Sequence, residues 1–267
     1  MGVKPKKNKP EARPIAPYAA LARIYDQVMA QIDYPRWANL SAELLTGAGL
    51  PPQARGRASR LLECACGTGT LALLLAGRGY EVEGRDQSPE MIAAAEDKAR
   101  SLPQNPPRFR VEAFSELAAE NACDALICLY DSLNYLLETP AVMDFMERVN
   151  RALVPGGLFL LDICTALNSR LHFHGREEED RGNGFRYRRK MQFYEDEQLQ
   201  ENLFEIEFDD QPGTVWLECH RQRIYPLHHI HHCLTRTGHR VLRMTDGFTL
   251  NPPHPESLRV HLLCRRS

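Results

Sequence analysis

The sequence predicts an α/β chain built on a doubly wound, mostly parallel sheet, with N-terminal helices before it and an antiparallel β meander inserted late. Three observations carry that reading. Between Leu61 and Asp86 an apolar run, a Gly-rich turn, a helix and a second strand follow one another. Helices that start at Ser-Pro and Thr-Pro pairs then alternate with short apolar runs as far as Cys164. Beyond that point the hydrophobic period changes from that of helices to that of half-buried strands.

The elements follow in chain order. Lys4, Lys6, Lys7, Lys9 and Arg13 stand among prolines, so residues 1–16 read as a disordered basic tail. From Tyr18 to Leu45, apolar positions such as Leu21, Ile24, Tyr25, Val28 and Met29 recur at helical spacing, which predicts one or two amphipathic helices in a cap over residues 17–55. Leu61 and Leu62 end a buried strand, and Cys66-Gly67-Thr68-Gly69 turns where side chains would keep a ligand off the backbone. Thr70–Ala76 opens a helix whose free N–H groups face that ligand. Tyr80–Arg85 is the second strand, and Asp86 lies 19 residues beyond Gly67. A carboxylate there can accept both ribose hydroxyl hydrogen bonds.

Ser88 and Pro89 start the next helix, which buries Met91, Ile92, Ala95 and Ala99. Thr139 and Pro140 start another, with Val142, Met146, Val149 and Leu153 on one stripe. Pro155-Gly156-Gly157 ends it, and Leu158–Leu161 reads as a parallel strand. Gly184–Tyr194, Gln198–Phe208 and Thr214–Arg223 alternate as three strands of an inserted lid over residues 167–223, with the acidic run Glu177–Asp180 as a loop before them. A helix from Pro226 to about Arg236 and strands near Arg240–Thr245 and Leu258–Cys264 close the chain, so residues 56–166 and 224–267 form the cofactor-binding domain.

Two nucleoside cofactors fit the turn, because Gly67-Thr68-Gly69-Thr70-Leu71-Ala72 also satisfies the loose dinucleotide pattern. Glu63 favours one of them. At the end of its strand it aims a carboxylate into the turn, where it would repel a pyrophosphate and pair with an ammonium group.

These segments resemble the class I S-adenosylmethionine-dependent methyltransferases, from about Leu61 to the C-terminus. Glu63-Cys64-Ala65-Cys66-Gly67-Thr68-Gly69 is similar to that family's acidic, Gly-rich motif, with Ala65 in place of its first Gly. Gly84–Met91 resembles its ribose-binding segment, Cys123–Leu129 its fourth strand, and Arg151–Phe159 its helix-turn-strand with Pro-Gly-Gly. The resemblance implies a seven-stranded Rossmann-like sheet and S-adenosyl-L-methionine as cofactor, with S-adenosyl-L-homocysteine as product. It implies Glu63, Ala65, Gly67 and Gly69 at the amino-acid tail, Asp86 and Gln87 at the ribose, Met91 and Phe114 at the adenine, and Leu129 and Asp131 beside the cofactor. Ala113 stands where many relatives carry an adenine-binding Asp, unless Glu112 substitutes. The N-terminal helices and meander resemble small-molecule N- and O-methyltransferases, and Ala22-Arg23-Ile24-Tyr25-Asp26 is similar to an element that sets a Tyr beside the cofactor's methionine portion. An aromatic face there can stabilise a sulfonium.

The implied reaction is direct methyl displacement onto a small-molecule N or O acceptor. Asp131-Ser132-Leu133-Asn134-Tyr135 follows the fourth strand at the ligand-binding edge. Asp131, Tyr135, His172 and His174 are the catalytic candidates should a hydroxyl need a base; a helix cap for Asp131 or Ser132 is the structural alternative. His228 and His232 lie one helical turn apart but have no carboxylate near in sequence, so no metal is expected. A nicotinamide-dependent oxidoreductase and a cofactor-binding module without transfer activity are the alternative functions.

Composition sets the remaining bounds. A net charge of −2 over 267 residues gives no broad attraction to nucleic acid or acidic membranes. No run reaches the ~18 apolar residues of a membrane span, and the first residues lack a signal-peptide core. Eight cysteines without paired spacing fit a reducing, cytoplasmic setting.

Overall fold

The computed structural model describes residues 11–101 and 105–267. Its first strand, β1 (Glu11–Ile15), falls inside the segment expected to be a disordered tail. It runs parallel to a lid strand, with the Glu11 N–H donating to the Gly213 carbonyl at 2.8 Å, so an unpaired sheet edge orders it. The lysines at positions 4–9 lie outside the described residues. A short helix, α1 (Tyr25–Val28), follows a 3-10 turn at Leu21–Arg23. Helix α2 (Tyr34–Gly47) is capped by Asp33, whose carboxylate accepts the Arg36 N–H at 3.0 Å. The connector forms a two-residue hairpin, β2 (Gln53–Ala54) with β3 (Arg57–Ala58).

The central sheet is built from β4 (Arg60–Cys64), β5 (Glu81–Asp86), β6 (Arg108–Val111), β7 (Cys123–Cys128) and β8 (Leu153–Cys164), all parallel. Helices α3 (Thr70–Ala76), α4 (Pro89–Ala99) and α5 (Thr139–Ala152) make the crossovers. Ser88 caps α4 as its sequence predicts, accepting the Met91 N–H at 3.2 Å. At α5 the cap is Glu138, and Thr139 instead shares a hydrogen bond with His229 at 3.1 Å. Leu153 to Gly157 already belong to β8, so the helix ends at Ala152 and the Pro-Gly-Gly segment opens the strand.

After α6 (Ala166–His172) the lid begins with β9 (Arg176–Gly182), where the sequence suggested a loop. Its acidic residues face a basic neighbour: Glu177, Glu178 and Glu179 are in register with Lys190, Arg189 and Arg188. Cross-strand pairs of opposite charge stabilise an edge that has no apolar pattern of its own. Strands β10 (Phe185–Tyr194), β11 (Leu199–Phe208) and β12 (Thr214–Arg223) complete a lid of order β1-β12-β11-β10-β9. Helix α7 (Leu227–Arg236) leads to β13 (His239–Asp246) and β14 (Arg259–Arg266), and the main sheet has the order β13-β14-β8-β7-β4-β5-β6, with β14 antiparallel.

Helices α2 and α3 cover one face of this sheet through Leu44, Leu45, Leu71 and Leu75. Helices α5 and α7 cover the other through Phe145, Met146, Ile230 and Leu234. A third cluster locks the lid to the N-terminal segment, with Leu21 and Ile24 against Phe204, Ile206 and Phe208. The chain winds outward from β4 to β6 and then restarts at β7 on the other side of β4. That reversal opens a crevice at the C-terminal ends of the strands, where sheets of this type bind ligands.

Candidate functional site

The crevice is a cleft of about 1050 Å³, counting the space at its mouth. Its floor is the turn after β4. Ala65, Gly67 and Gly69 all have positive φ, at 55°, 55° and 73°. Gly69 admits no side chain: a Cβ would lie 2.6 Å from the Phe109 ring and 2.9 Å from Ala95. Asp86 ties the turn to β5, accepting the Gly67 N–H on one oxygen and the Ser88 N–H on the other, each at 2.9 Å. Lys98 braces the same turn from α4, donating to Asp26, Thr68 and Thr70 at 2.8 Å each and so drawing α1 onto it.

The cleft holds two buried carboxyls, Glu63 and Asp86, without a free cation beside them among the described residues. Burial, then the Asp86 charge, pushes the Glu63 carboxyl up to about 8. One of its oxygens is buried with no hydrogen-bond partner. Burial also raises Asp86, although its two backbone donors oppose that. Arg85 lines the cleft but is committed to Glu83 at 2.8 Å and to Glu112. Glu112 is therefore neutralised by Arg85 rather than left free for an adenine amino group. A buried carboxyl oxygen without a partner, on a side chain that lines the cleft, is stabilised as an anion by an arriving cation, and the arrangement fits an amino-acid ammonium group.

Aromatic side chains roof this floor. Tyr18, Tyr25, Tyr34 and Trp37 reach in from the N-terminal segment and Tyr130 and Tyr135 from the loop after β7. The rings of Tyr18 and Tyr25 meet edge to face at 6.0 Å. Ala65, Gln87, Met91, Ala113, Phe114 and Leu129 also line the cleft. All of the sequence-derived cofactor residues except Gly69 and Asp131 thus line one cavity, and Gly69 shapes the turn beneath it.

The catalytic candidates separate. Tyr135 lines the cleft. Asp131 is buried behind it and serves structure: Arg259 donates to it at 2.7 Å and Gln222 at 2.6 Å, while Arg259 also grips Asp162. Tyr130 and Asp131 hold positive φ of 62° and 50°, a strained pair that this network keeps in place. Neither Asp131 nor Ser132 makes a side-chain cap, and the Ser132 hydroxyl donates to the Leu129 carbonyl at 2.8 Å. His172 and His174 are exposed and do not line the cleft; the His174 ring is engaged with Gln192 and the Phe193 carbonyl at 3.0 Å. The reason is local, because α6 carries the chain away from the strand edge before either is reached. His228 and His232 lie on the exposed face of α7, and among the described residues no group of His, Cys, Asp or Glu is arranged for a metal.

Several site residues carry no local signal in the sequence. Tyr18, Tyr34 and Trp37 enter by folding of the N-terminal segment over the sheet, and Tyr130 from the loop after β7. Two lid residues, Glu218 and His220, are buried behind Tyr18 and Tyr135 and reach them through hydrogen bonds. Only the alternation of β12, which turns Glu218 and His220 to its inner face, hints at them.

Known proteins are similar to this chain in sequence and in fold. A family model described as a methyltransferase domain matches residues 61–157. A candidate methyltransferase from Geobacillus sp. (strain WCH70) is 30% identical over 254 residues, 93% of this chain and 99% of that protein. A solved S-adenosylmethionine-dependent methyltransferase from Clostridium acetobutylicum ATCC 824 superposes with a TM-score of 0.78 at 24% identity, over 93% of this chain and 98% of the other. The sugar N-methyltransferase KedS8 from Streptoalloteichus sp. ATCC 53650 does so with a TM-score of 0.68 at 19% identity, over 100% and 99%. With the turn, the sheet order and these relatives together, the chain belongs to the class I S-adenosylmethionine-dependent methyltransferases.

Proposed function

We propose that this enzyme methylates a nitrogen or oxygen of a small-molecule acceptor, held in the cleft between the sheet edge and the aromatic roof. The observation that carries this reading is the roof: Tyr18, Tyr25, Tyr34 and Trp37 cover a cleft of about 1050 Å³, its mouth included, suited to a nucleoside and a small second ligand. A wide, open groove would suit a macromolecule. The similarity to a sugar N-methyltransferase supports a small acceptor, and family membership replaces the nicotinamide reading of the turn.

S-adenosylmethionine supplies a methyl group on a sulfonium that is already a good leaving group. The residues then have positioning work to do. In this reading the free oxygen of Glu63 takes the ammonium, the backbone of Gly67–Gly69 approaches the tail, and Ala65 packs beside it. Asp86, fixed by two backbone donors, keeps lone pairs for ribose hydroxyls, with Gln87 at the rim. Met91, Ala113 and Phe114 sandwich the base, while Leu129 and the ring of Tyr25 close the site against water.

Calorimetry with S-adenosylmethionine tests the donor site. We expect binding to the intact chain and a loss of about tenfold to a hundredfold in Asp86→Ala, the worth of charged hydrogen bonds. No binding, or binding that Asp86→Ala leaves unchanged, sinks the site. Transfer of labelled methyl to small amines and hydroxyl compounds tests the activity, and binding without transfer to any of them would favour a module that only holds the cofactor.

A further inference from the structure

Behind the aromatic roof runs a chain of hydrogen bonds that donor binding does not require. The Tyr18 hydroxyl lies 2.5 Å from that of Tyr135, and the Tyr135 hydroxyl lies 3.0 Å from Nδ1 of His220. Nε2 of His220 lies 3.0 Å from Glu218, on the same strand. Glu218 is fully buried and also accepts the backbone N–H groups of Tyr18, Ala20 and Leu21, at 2.7, 2.6 and 2.8 Å. Four donors occupy its two oxygens, so it acts as an acceptor and Nε2 must carry the proton. Nδ1 is then bare and accepts from Tyr135, Tyr135 accepts from Tyr18, and the lone pairs of Tyr18 remain for the cleft that both tyrosines line. The direction of every bond follows from the carboxylate at the far end.

From this geometry we infer that Tyr18, Tyr135 and His220, backed by Glu218, form a proton relay, and that the acceptor it serves is a hydroxyl compound. The inference rests on the methyltransferase reading above. As the acceptor oxygen forms its bond to the methyl carbon and the carbon–sulfur pair returns to sulfur, its proton passes to the Tyr18 oxygen. The Tyr18 proton moves to Tyr135 and the Tyr135 proton to Nδ1, leaving an imidazolium whose Nε2–H is held by Glu218. Burial pushes both tyrosine hydroxyls up, so they pass a proton on rather than hold a charge. His220 is the store, and Glu218 is a positioning residue that acts through it.

Two further observations favour a hydroxyl over an amine. A neutral amine attacks a sulfonium methyl without first losing a proton, whereas a hydroxyl needs a base. An ammonium would instead call for a free carboxylate, and those beside the relay among the described residues are committed: Asp131 and Asp162 to Arg259, and Glu218 to its four donors, while Glu63 and Asp86 are taken by the methyl donor in the reading above. The other polar groups around the imidazole do not compete for Nδ1. Asn202 is its register partner on β11, and Arg189 on β10 donates to Asn202 at 2.9 Å and lies over the Phe204 ring. Tyr18 also packs edge to face on the His220 ring at 4.6 Å.

The test uses the full chain. Nitrogen-15 NMR of its histidines, with S-adenosylhomocysteine present, should find His220 protonated on Nε2 at neutral pH; protonation on Nδ1 overturns the relay. Methyl transfer is then measured on small phenols and alcohols against matched primary amines. We expect transfer to hydroxyl compounds, a loss of about a hundredfold in kcat for His220→Gln, and disappearance of the acid limb of the kcat/KM profile, with the donor KM unchanged. Tyr135→Phe should reproduce that loss. Transfer to amines alone, transfer to neither class while calorimetry shows donor bound, or a wild-type pH profile in His220→Gln overturns the inference. Failure of donor binding counts against the underlying methyltransferase site instead.

Discussion

Glu63→Gln tests the electrostatics of the donor site most sharply, because one atom change removes a buried ionisable group and keeps the shape. Burial and the Asp86 charge move the Glu63 carboxyl from 4.5 to about 8. At 1.36 kcal/mol per unit that is about 5 kcal/mol, an upper bound on what ionising this group costs the folded chain. The folded chain holds the proton more tightly than the unfolded one, so stability is full below pH 4.5 and falls as pH rises toward 8. Glu63→Gln should therefore be near neutral at pH 4.5 and progressively stabilising up to pH 8, read as the urea midpoint at each pH.

Donor binding should change in the opposite sense. At pH 7 the wild-type carboxyl is mostly protonated, and an arriving ammonium favours its anion, so binding should release most of one proton. Calorimetry of S-adenosylmethionine binding in two buffers of different ionisation enthalpy counts those protons. The variant should release none and bind about tenfold to a hundredfold more weakly, the loss of one charged hydrogen bond of ~1.5–3 kcal/mol. Equal proton release in both proteins, or unchanged affinity, would refute the placement of the ammonium at Glu63.

Four further variants probe the same geometry. Arg259→Met leaves Asp131 and Asp162 as buried carboxylates without a cation, and should cost about 3–5 kcal/mol in urea unfolding at pH 7. Gly69→Ala places a Cβ 2.6 Å from Phe109 at φ 73° and should abolish donor binding and lower Tm, whereas Ala65→Gly relieves a strained φ of 55° and should stabilise by up to about 1 kcal/mol. Burial holds His261 neutral and pushes its ring from 6.5 down to about 3. The unfolded chain then binds the extra proton first, so stability should drain as pH falls from 6.5 toward 3, and His261→Phe should flatten that limb in acid-unfolding curves.

Local chemistry made much of this molecule legible. Ser88 and Pro89 start α4 because a hydroxyl and a fixed φ meet the needs of a first turn, and the glycines at 67 and 69 mark a backbone that must come near a ligand. Both are short-range demands, written within a few residues. The errors came where pairing partners are distant. Glu11–Ile15 and Arg176–Gly182 have no strand pattern of their own, and each became a strand because a neighbouring strand offered backbone partners or opposite charge. His172 and His174 stood near the right strand in sequence, yet α6 turned them outward.

By itself, then, the sequence determined the parallel sheet, the Gly-rich turn, and the carboxylates Glu63 and Asp86 at two strand ends, because period, turn chemistry and strand-end position are properties of contiguous residues. The tertiary structure alone decided which charges are free. It spent Asp131 on Arg259 and Glu112 on Arg85, left one oxygen of Glu63 bare, and brought Glu218 and His220 behind tyrosines from two other segments. Whether a buried polar group is available for chemistry depends on which hydrogen-bonding partners long-range folding sets against it.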